Sequence, residues 1–230
     1  MSLPSFPTEL VRFIEHTLWQ ADASAKEIET LCAEARKHGF AAVCVNPSRV
    51  ELARHLLEET EIKVVALVGF PLGATDGDTK RFETETAIDH GAQEIEVVLN
   101  LGRLKDGDDA YVLRELRDVV EAADERPVTV ILETRLLTRE QTIRACLLVL
   151  DSGAQCVASA TGFHSGDTTL DGVRLLREIV GPRFGVKASS GIRDGAMAIA
   201  MIEAGATRLS ITSGVASVQS GIASSLADAR

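Results

Sequence analysis

Two apolar segments in the last third of the chain bear on chemistry. Lys187 lies between Val186 and Ala188 in the run GVKAS. An ammonium group in such a run is costly unless it faces a polar site, so we favour a functional role for it. A lysine whose pKa is lowered can attack carbonyl compounds. An earlier strand-like run, 156–158, instead carries Ala158 at its tip, where a barrel enzyme commonly mounts a reacting group.

Short apolar runs alternate with helical segments along the whole chain, and these elements would position Ala158 and Lys187. Capping-box patterns at Ser24 and Thr138 mark the start of two helices. Segment 102–107 is predicted to be a loop, and a last helix is expected to begin at 213–214. The strands are predicted at 13–17, 41–45, 63–68, 94–99, 128–133, 156–158, 185–189 and 208–212.

Eight strand–helix units without a break in composition favour an α/β fold, the closed (β/α)8 or TIM barrel. We expect one domain over residues 1–230 with a short N-terminal helical extension. A doubly wound open sheet is the alternative, but no GxGxxG fingerprint follows an early strand. The barrel would bring the ends of strands six and seven, with Ala158 and Lys187, to one catalytic face.

Composition narrows the classes of partner. The chain has 230 residues, of which 45% are hydrophobic, and a formal charge of -10. The negative charge argues against nucleic acid or an anionic membrane as a partner. The four cysteines and five histidines do not fall at metal-ligand spacings, so no metal is expected, and the thiols are typical of a reducing compartment. We expect a soluble, cytoplasmic protein because no leader or membrane-spanning run is visible.

Several segments, in order along nearly the whole chain, resemble deoxyribose-phosphate aldolase. They include EHTLWQADAS (15–24), AAVCVNPSRV (41–50), LVGFPLGATDGDTK (67–80), GAQCVASATGF (153–163) and GVKASSGIRD (185–194). The resemblance implies a class I aldolase on a (β/α)8 barrel. That family interconverts 2-deoxyribose 5-phosphate with acetaldehyde and glyceraldehyde 3-phosphate, with no metal or other cofactor. The family often forms dimers, so a homodimer is the assembly that the resemblance suggests.

The family's catalytic residues match this sequence unevenly. Its Schiff-base lysine on the sixth strand falls on Ala158, which has no amine and cannot form an imine. Its second lysine, which lowers the pKa of the first, corresponds to Lys187. Its fourth-strand aspartate corresponds to Glu96, one methylene longer, and Cys44 matches a cysteine for which packing is the favoured role. The first-strand aspartate of the family is replaced by Glu15.

The phosphate-binding region implied by the resemblance is also altered. Ser190 and Ser210 stand where the family has glycine, and a side chain there would take up space close to a ligand. The remaining donors could hold the phosphate of a phosphorylated sugar or could be ordinary helix caps. The candidate substrate-binding residues are Thr161, Gly162, Ser190, Gly191, Arg193, Ser210, Thr212 and Ser213.

Three functional hypotheses follow. The first is a deoxyribose-phosphate aldolase-like protein whose family activity is lost or strongly reduced, with retained binding of a phosphorylated sugar, an aldehyde or another metabolite. The second is an active lyase that uses Lys187 as its Schiff-base residue. The third is a non-catalytic interaction scaffold. An inactivated laboratory variant would explain Ala158 but not the accompanying changes at Glu96, Ser190 and Ser210.

Overall fold

The computed structural model describes residues 10–164 and 166–212 and shows a closed barrel of eight parallel strands in sequential order, β1 to β8. The TIM barrel predicted from the sequence is therefore confirmed. In the described part, no helix is long and apolar enough to cross a membrane. The strands are β1 Ile14–Leu18, β2 Ala42–Val45, β3 Lys63–Val68, β4 Glu94–Val98, β5 Val128–Ile131, β6 Cys156–Ala158, β7 Gly185–Ser189 and β8 Arg208–Ile211.

The helices surround the barrel, and several begin at the side-chain caps that the sequence indicates. Ser24 and Glu27 form a capping box at the first helix, and Thr138 and Gln141 form another at the sixth. Each cap satisfies backbone N–H groups that the first helical turn leaves free. The helices are α1 Ala25–His38, α2 Val50–Leu56, α3 Gly77–Asp89, α4 Leu101–Asp106, α5 Asp109–Ala122, α6 Arg139–Ser152, α7 Leu170–Val180 and α8 Gly195–Glu203.

Alternate residues of each strand face opposite sides of the barrel wall. Val186 and Ala188 of β7 belong to the large apolar core that also contains buried residues of the surrounding helices. A second, smaller apolar cluster contains the strand residues of the other parity, including Cys44, Leu67 and Ala158. Lys187 therefore points into the barrel, since it lies between two residues that point outward.

The structure differs from the predicted secondary structure in two segments. Two further predictions concern the N-terminal extension and the last helix, which lie partly or wholly outside the described residues. The expected loop at 102–107 is mostly helix α4, because the side chain of Asn100 accepts a hydrogen bond from Arg103 N and caps a short turn. The expected helix after Asn46 begins with a 3-10 turn, Pro47–Arg49, before α2. The N-terminal extension is described only from residue 10, with a 3-10 turn at Val11–Phe13, and the helix expected from 213 lies outside the described residues.

Candidate active site

A buried ion-pair network occupies the middle of the barrel. The ammonium group of Lys187 donates to the carboxylates of Glu15 and Glu96. The three side chains come from β7, β1 and β4, and each residue is almost completely buried, at 2%, 1% and 4% exposed respectively. Since the charges are removed from water, their pairing is needed to offset the cost of burial.

The two carboxylates hold Lys187 in its charged form. Burial by itself would lower the pKa of Lys187, but Glu15 and Glu96 outweigh it, and the pKa lies well above its ordinary value. Burial and the neighbouring Glu15 raise the pKa of Glu96 to about 7, against the opposing effect of Lys187. A lysine held this way has no free lone pair at neutral pH and is a poor nucleophile.

The network continues from Lys187 toward the N-terminal ends of the strands. The guanidinium group of Arg208, at the start of β8, lies 3.5 Å from Glu15 and 3.4 Å from Glu94. Sequence reasoning noted Glu15 as a replaced aspartate but did not anticipate Glu94 or Arg208 at the site. A usable signal was the spacing of Glu94 and Glu96, which places both on one face of β4.

Ala158 lies in an apolar environment. It is fully buried in the cluster that contains Cys44, Leu67 and Ile131, with Trp19 and Phe70 packed against it. Ala158 is paired directly across the sheet with Lys187. The Sγ atom of Cys44 lies 3.9 Å from the Glu96 carboxylate. Burial is the largest cause, and the charge of Glu96 the next, of a thiol pKa well above its ordinary value. Cys44 is therefore a packed, neutral thiol.

The loop after β6 is fixed by a buried glutamate. The side chain of Glu133 accepts hydrogen bonds from both the backbone N–H and the hydroxyl of Thr161. Glu133 itself adopts a left-handed backbone conformation, with φ of 48°, which a non-glycine residue seldom does. Both donors of Thr161 are thus already used by the protein, while its neighbour Gly162 is half-buried beside Trp19.

The loop after β7 brings three of the candidate residues close together. Arg193 forms a 2.7 Å ion pair with Asp167, and both side chains are well exposed. Asp167 also packs on Gly191, since a Cβ atom added to this glycine would lie 2.5 Å from Cβ of Asp167. Ser190 has φ of 73°, a left-handed conformation that favours glycine. Its hydroxyl lies 3.4 Å from the carbonyl oxygen of Gly166.

Three candidates lie on β8 or directly after it. The Ser210 hydroxyl lies 2.9 Å from the Thr17 hydroxyl, inside the barrel. Thr212 is half-buried at the C-terminal end of the strand, and Ser213 lies outside the described residues. Beyond these, the hydroxyl groups of Ser159 and Thr168 lie 2.6 Å apart and tie the β6 loop to Ser189, a link that sequence reasoning missed.

Comparison with known proteins decides the family. A family model described as "DeoC/LacD family aldolase" matches residues 13–218. The chain belongs to this aldolase family. The deoxyribose-phosphate aldolase of Geobacillus sp. (strain WCH70) is 49% identical over 217 residues, covering 94% of this chain and 97% of that protein. Deoxyribose-phosphate aldolase 1 of Bacillus licheniformis is 50% identical over 212 residues, covering 92% and 95%.

Solved structures agree with this assignment. An aldolase called QR15 superposes with a TM-score of 0.89 at 34% identity, covering 96% of this chain and 99% of that chain. A deoxyribose phosphate aldolase from Aeropyrum pernix, described as tetrameric, gives a TM-score of 0.85 at 28% identity and covers 98% and 94%. The resemblance seen in the sequence is thereby confirmed at the level of the family and the barrel.

Within this aldolase barrel, three buried side chains approach the spacing of a metal site. Ligand atoms of Glu15, Cys44 and Glu96 lie within 4.8 Å of one another. Lys187, however, already donates to both carboxylates, and the raised pKa of the Cys44 thiol keeps it protonated. A metal ion would have to displace an ammonium group and a proton, so the donor set fits the lysine better than a metal.

Proposed function

We propose that this member of the aldolase family has lost, or retains only weakly, the retro-aldol reaction on 2-deoxyribose 5-phosphate. The observation that carries the proposal is the pair Ala158 and Lys187. The sixth-strand position has no amine, and the neighbouring lysine is held as an ammonium between two carboxylates. Neither residue can readily supply the uncharged amine that imine formation requires.

The same geometry weakens the case for Lys187 as a relocated Schiff-base residue. A nucleophilic lysine needs its pKa lowered by burial or by a nearby cation. In the described structure Lys187 is buried, but its nearest charged partners are the carboxylates of Glu15 and Glu96, which have the opposite effect. An iminium at this position would also keep only one N–H donor for the two carboxylates that the ammonium group now serves.

We further propose that a phosphorylated sugar or an aldehyde binds noncovalently at the C-terminal end of the barrel. Support comes from the exposed Arg193–Asp167 pair beside Gly191. An exposed ion pair contributes at most about 1 kcal/mol, so a phosphate group could compete with Asp167 for Arg193. The donors of Thr161, which are already engaged with Glu133, would hold the loop after β6 in place.

Trapping with borohydride tests the loss of imine chemistry. Wild-type protein incubated with acetaldehyde and reduced should show no adduct at Lys187 by peptide mass spectrometry. Ala158→Lys restores an amine in a buried apolar cluster next to the Lys187 ammonium. Burial and the neighbouring positive charge should both lower the pKa of the new lysine. We expect this variant to be trapped at position 158, whereas Ala158→Met, of similar length but without an amine, should not. A wild-type adduct at Lys187 would overturn the proposal.

Binding can be followed separately through Trp19, the single tryptophan of the chain. Its ring packs against Phe70 and Phe163 at 5.8 Å and 6.1 Å between centroids, and it lies near Gly162 and Ser190. Titration with 2-deoxyribose 5-phosphate should change its fluorescence, and Arg193→Gln should weaken that response. If neither the sugar phosphate nor acetaldehyde alters the fluorescence or the melting temperature, the interaction-scaffold hypothesis gains and noncovalent binding is wrong.

A further inference from the structure

A cavity of about 310 Å³ opens at the N-terminal end of the barrel, opposite the face that carries the candidate active site. Its walls come from the first residues of β4, β6, β7 and β8 and from the residues just before β5 and β8. Because the strands are parallel, these positions all lie at one end of the barrel. The lining residues are Glu15, Glu94, Pro127, Thr129, Cys156, Gly185, Lys187, Thr207 and Arg208.

Charged side chains converge on this cavity from deep inside the barrel. Glu15 and Lys187 line it although each is almost completely buried, at 1% and 2% exposed. Glu94 and Arg208 stand nearer its opening, with side chains 17% and 24% exposed. A concave site with a few converging polar groups is the form that small-molecule sites usually take.

The network that borders the cavity holds one more carboxylate than cation. Above pH 7, where Glu96 loses its proton, Glu15, Glu94 and Glu96 supply three negative charges, while Lys187 and Arg208 supply two positive charges. An unmatched negative charge at low exposure is unfavourable and attracts a positive group. Cys44 and Cys156, the remaining titratable neighbours on β2 and β6, are thiols and do not change this balance.

Arg208 is not tightly seated between its two partners. Its contacts with Glu15 and Glu94 measure 3.5 Å and 3.4 Å, whereas a charge-assisted N–H···O bond is usually about 2.7–2.9 Å long. The carboxylates therefore keep unused acceptor capacity toward the cavity. The hydroxyl groups of Thr129 and Thr207 add further oxygen atoms to its lining.

We propose that this cavity binds a small primary-ammonium compound, with the ammonium group held by Glu94 and Glu15. A group with one positive charge and three N–H donors meets both the surplus charge and the free acceptor positions. The cavity opens at the end of the barrel opposite the mouth, and it shares Glu15 and Lys187 with the ion-pair network of the candidate active site.

Two sources could supply this ammonium group, a simple amine or an amino acid. An amino acid would add a carboxylate that Arg208 can bind, so it should bind more tightly than an amine of the same size. Methylammonium, ethylammonium, glycine and alanine form a suitable set of probes. Tetramethylammonium chloride, which lacks N–H donors, keeps the ionic strength constant.

Calorimetric titration and melting temperature test the proposal at pH 8, where Glu96 is largely ionised. Either class of probe should bind wild-type protein and raise its melting temperature, since a ligand of the native state at 100 times its Kd adds about 2.7 kcal/mol. Glu94→Gln should weaken binding at least tenfold, whereas Glu121→Gln, an exposed surface control, should not. Thr129→Leu should also abolish binding by filling the cavity, and it serves if Glu94→Gln does not fold.

Three outcomes would overturn the proposal. The first is the absence of binding by every amine and amino acid tested. The second is equal stabilisation by potassium or tetramethylammonium, which would indicate a nonspecific effect of charge. The third is binding that Glu94→Gln and Thr129→Leu both leave intact, which would place the ligand elsewhere.

Discussion

The barrel contains two fully buried lysines, Lys80 and Lys187, whose pKa values are shifted in opposite directions. Lys80 of α3 donates to the Glu115 carboxylate at 2.7 Å and to the carbonyl oxygen of Val98 at 2.9 Å. Burial outweighs Glu115 and lowers the pKa of Lys80. Lys187 has two carboxylate partners, Glu15 and Glu96, which outweigh burial and raise its pKa.

The difference shows that burial alone does not make a lysine reactive. Lys80 comes from a polar helix and Lys187 from an apolar strand, yet both lose nearly all contact with water. Lys187 donates to two carboxylates, whereas Lys80 donates to one and feels Glu83 only through its charge. This difference decides whether the ammonium form is favoured or disfavoured. In this chain the lysine that lies inside the barrel is the one that is held charged, which is why we do not assign it imine chemistry.

The largest loss of stability should follow from removing the ammonium group of Lys187, which pairs with two carboxylates. Lys187→Met leaves Glu15 and Glu96 buried with only the more distant Arg208 as a counter-charge. Loss of one partner of a buried pair commonly costs about 3–5 kcal/mol, and we expect that range for the free energy of unfolding at pH 8. The exposed Lys105→Met should change stability by less than about 0.5 kcal/mol.

Urea denaturation at pH 8 and pH 5 measures this cost. The loss should be smaller at pH 5, because protonation of Glu96, whose pKa is already raised, removes one of the two unpaired charges. A loss below about 1 kcal/mol at pH 8 would contradict the proposed dependence of the network on Lys187.

An intermediate effect is expected at the other lysine. Glu115→Gln leaves the Lys80 ammonium with an amide and the Val98 carbonyl, and a buried charge that loses its counter-ion should cost about 2–3 kcal/mol at pH 7. Because the pKa of Lys80 is already lowered, the amine can release its proton, so part of the loss should be recovered at pH 9. Denaturant titrations at both pH values, with Glu121→Gln as the surface control, test this recovery. A loss that grows with pH would contradict it.

Sequence patterns were sufficient for the barrel because its signals are local. Continuous apolar runs such as 63–68 match β3 residue for residue, and the capping boxes at Ser24 and Thr138 start helices as predicted. The helix α4 was missed because its cap, Asn100, is followed by a glycine and charged residues that are typical of a loop. Local propensity gave way there to a single side-chain cap.

The site was harder to predict because its charges come from distant parts of the chain. Glu15 and Lys187 are separated by 172 positions and Glu96 and Lys187 by 91, and only barrel closure brings them together. The resemblance identified Lys187 and Glu96 as candidates, but no sequence pattern shows whether a lysine meets a cation or two carboxylates. The partners of the phosphate-site candidates, such as Glu133 and Asp167, are equally nonlocal.

The smallest change in unfolding free energy at neutral pH is expected for a substitution of Glu96, and its pH dependence tests the comparison of Lys187 with Lys80 most directly. Its folded-state pKa of about 7 exceeds the ordinary value of 4.5, so the folded protein binds this proton more tightly than the unfolded chain. Stability from this group is therefore greatest below pH 4.5, falls as pH rises toward 7, and is level above that. For wild-type protein we expect a fall of about 1–3 kcal/mol across this window.

Glu96→Gln removes the titrating group while Glu15 still pairs with Lys187. The variant should lack this part of the fall between pH 4.5 and 7, and at pH 8 its stability should lie within about 1 kcal/mol of wild type or above it. The difference between the two curves of unfolding free energy against pH isolates the contribution of Glu96 from that of Glu115, whose pKa is also raised. If both proteins show the same fall, Glu96 is not the second carboxylate that distinguishes Lys187 from Lys80.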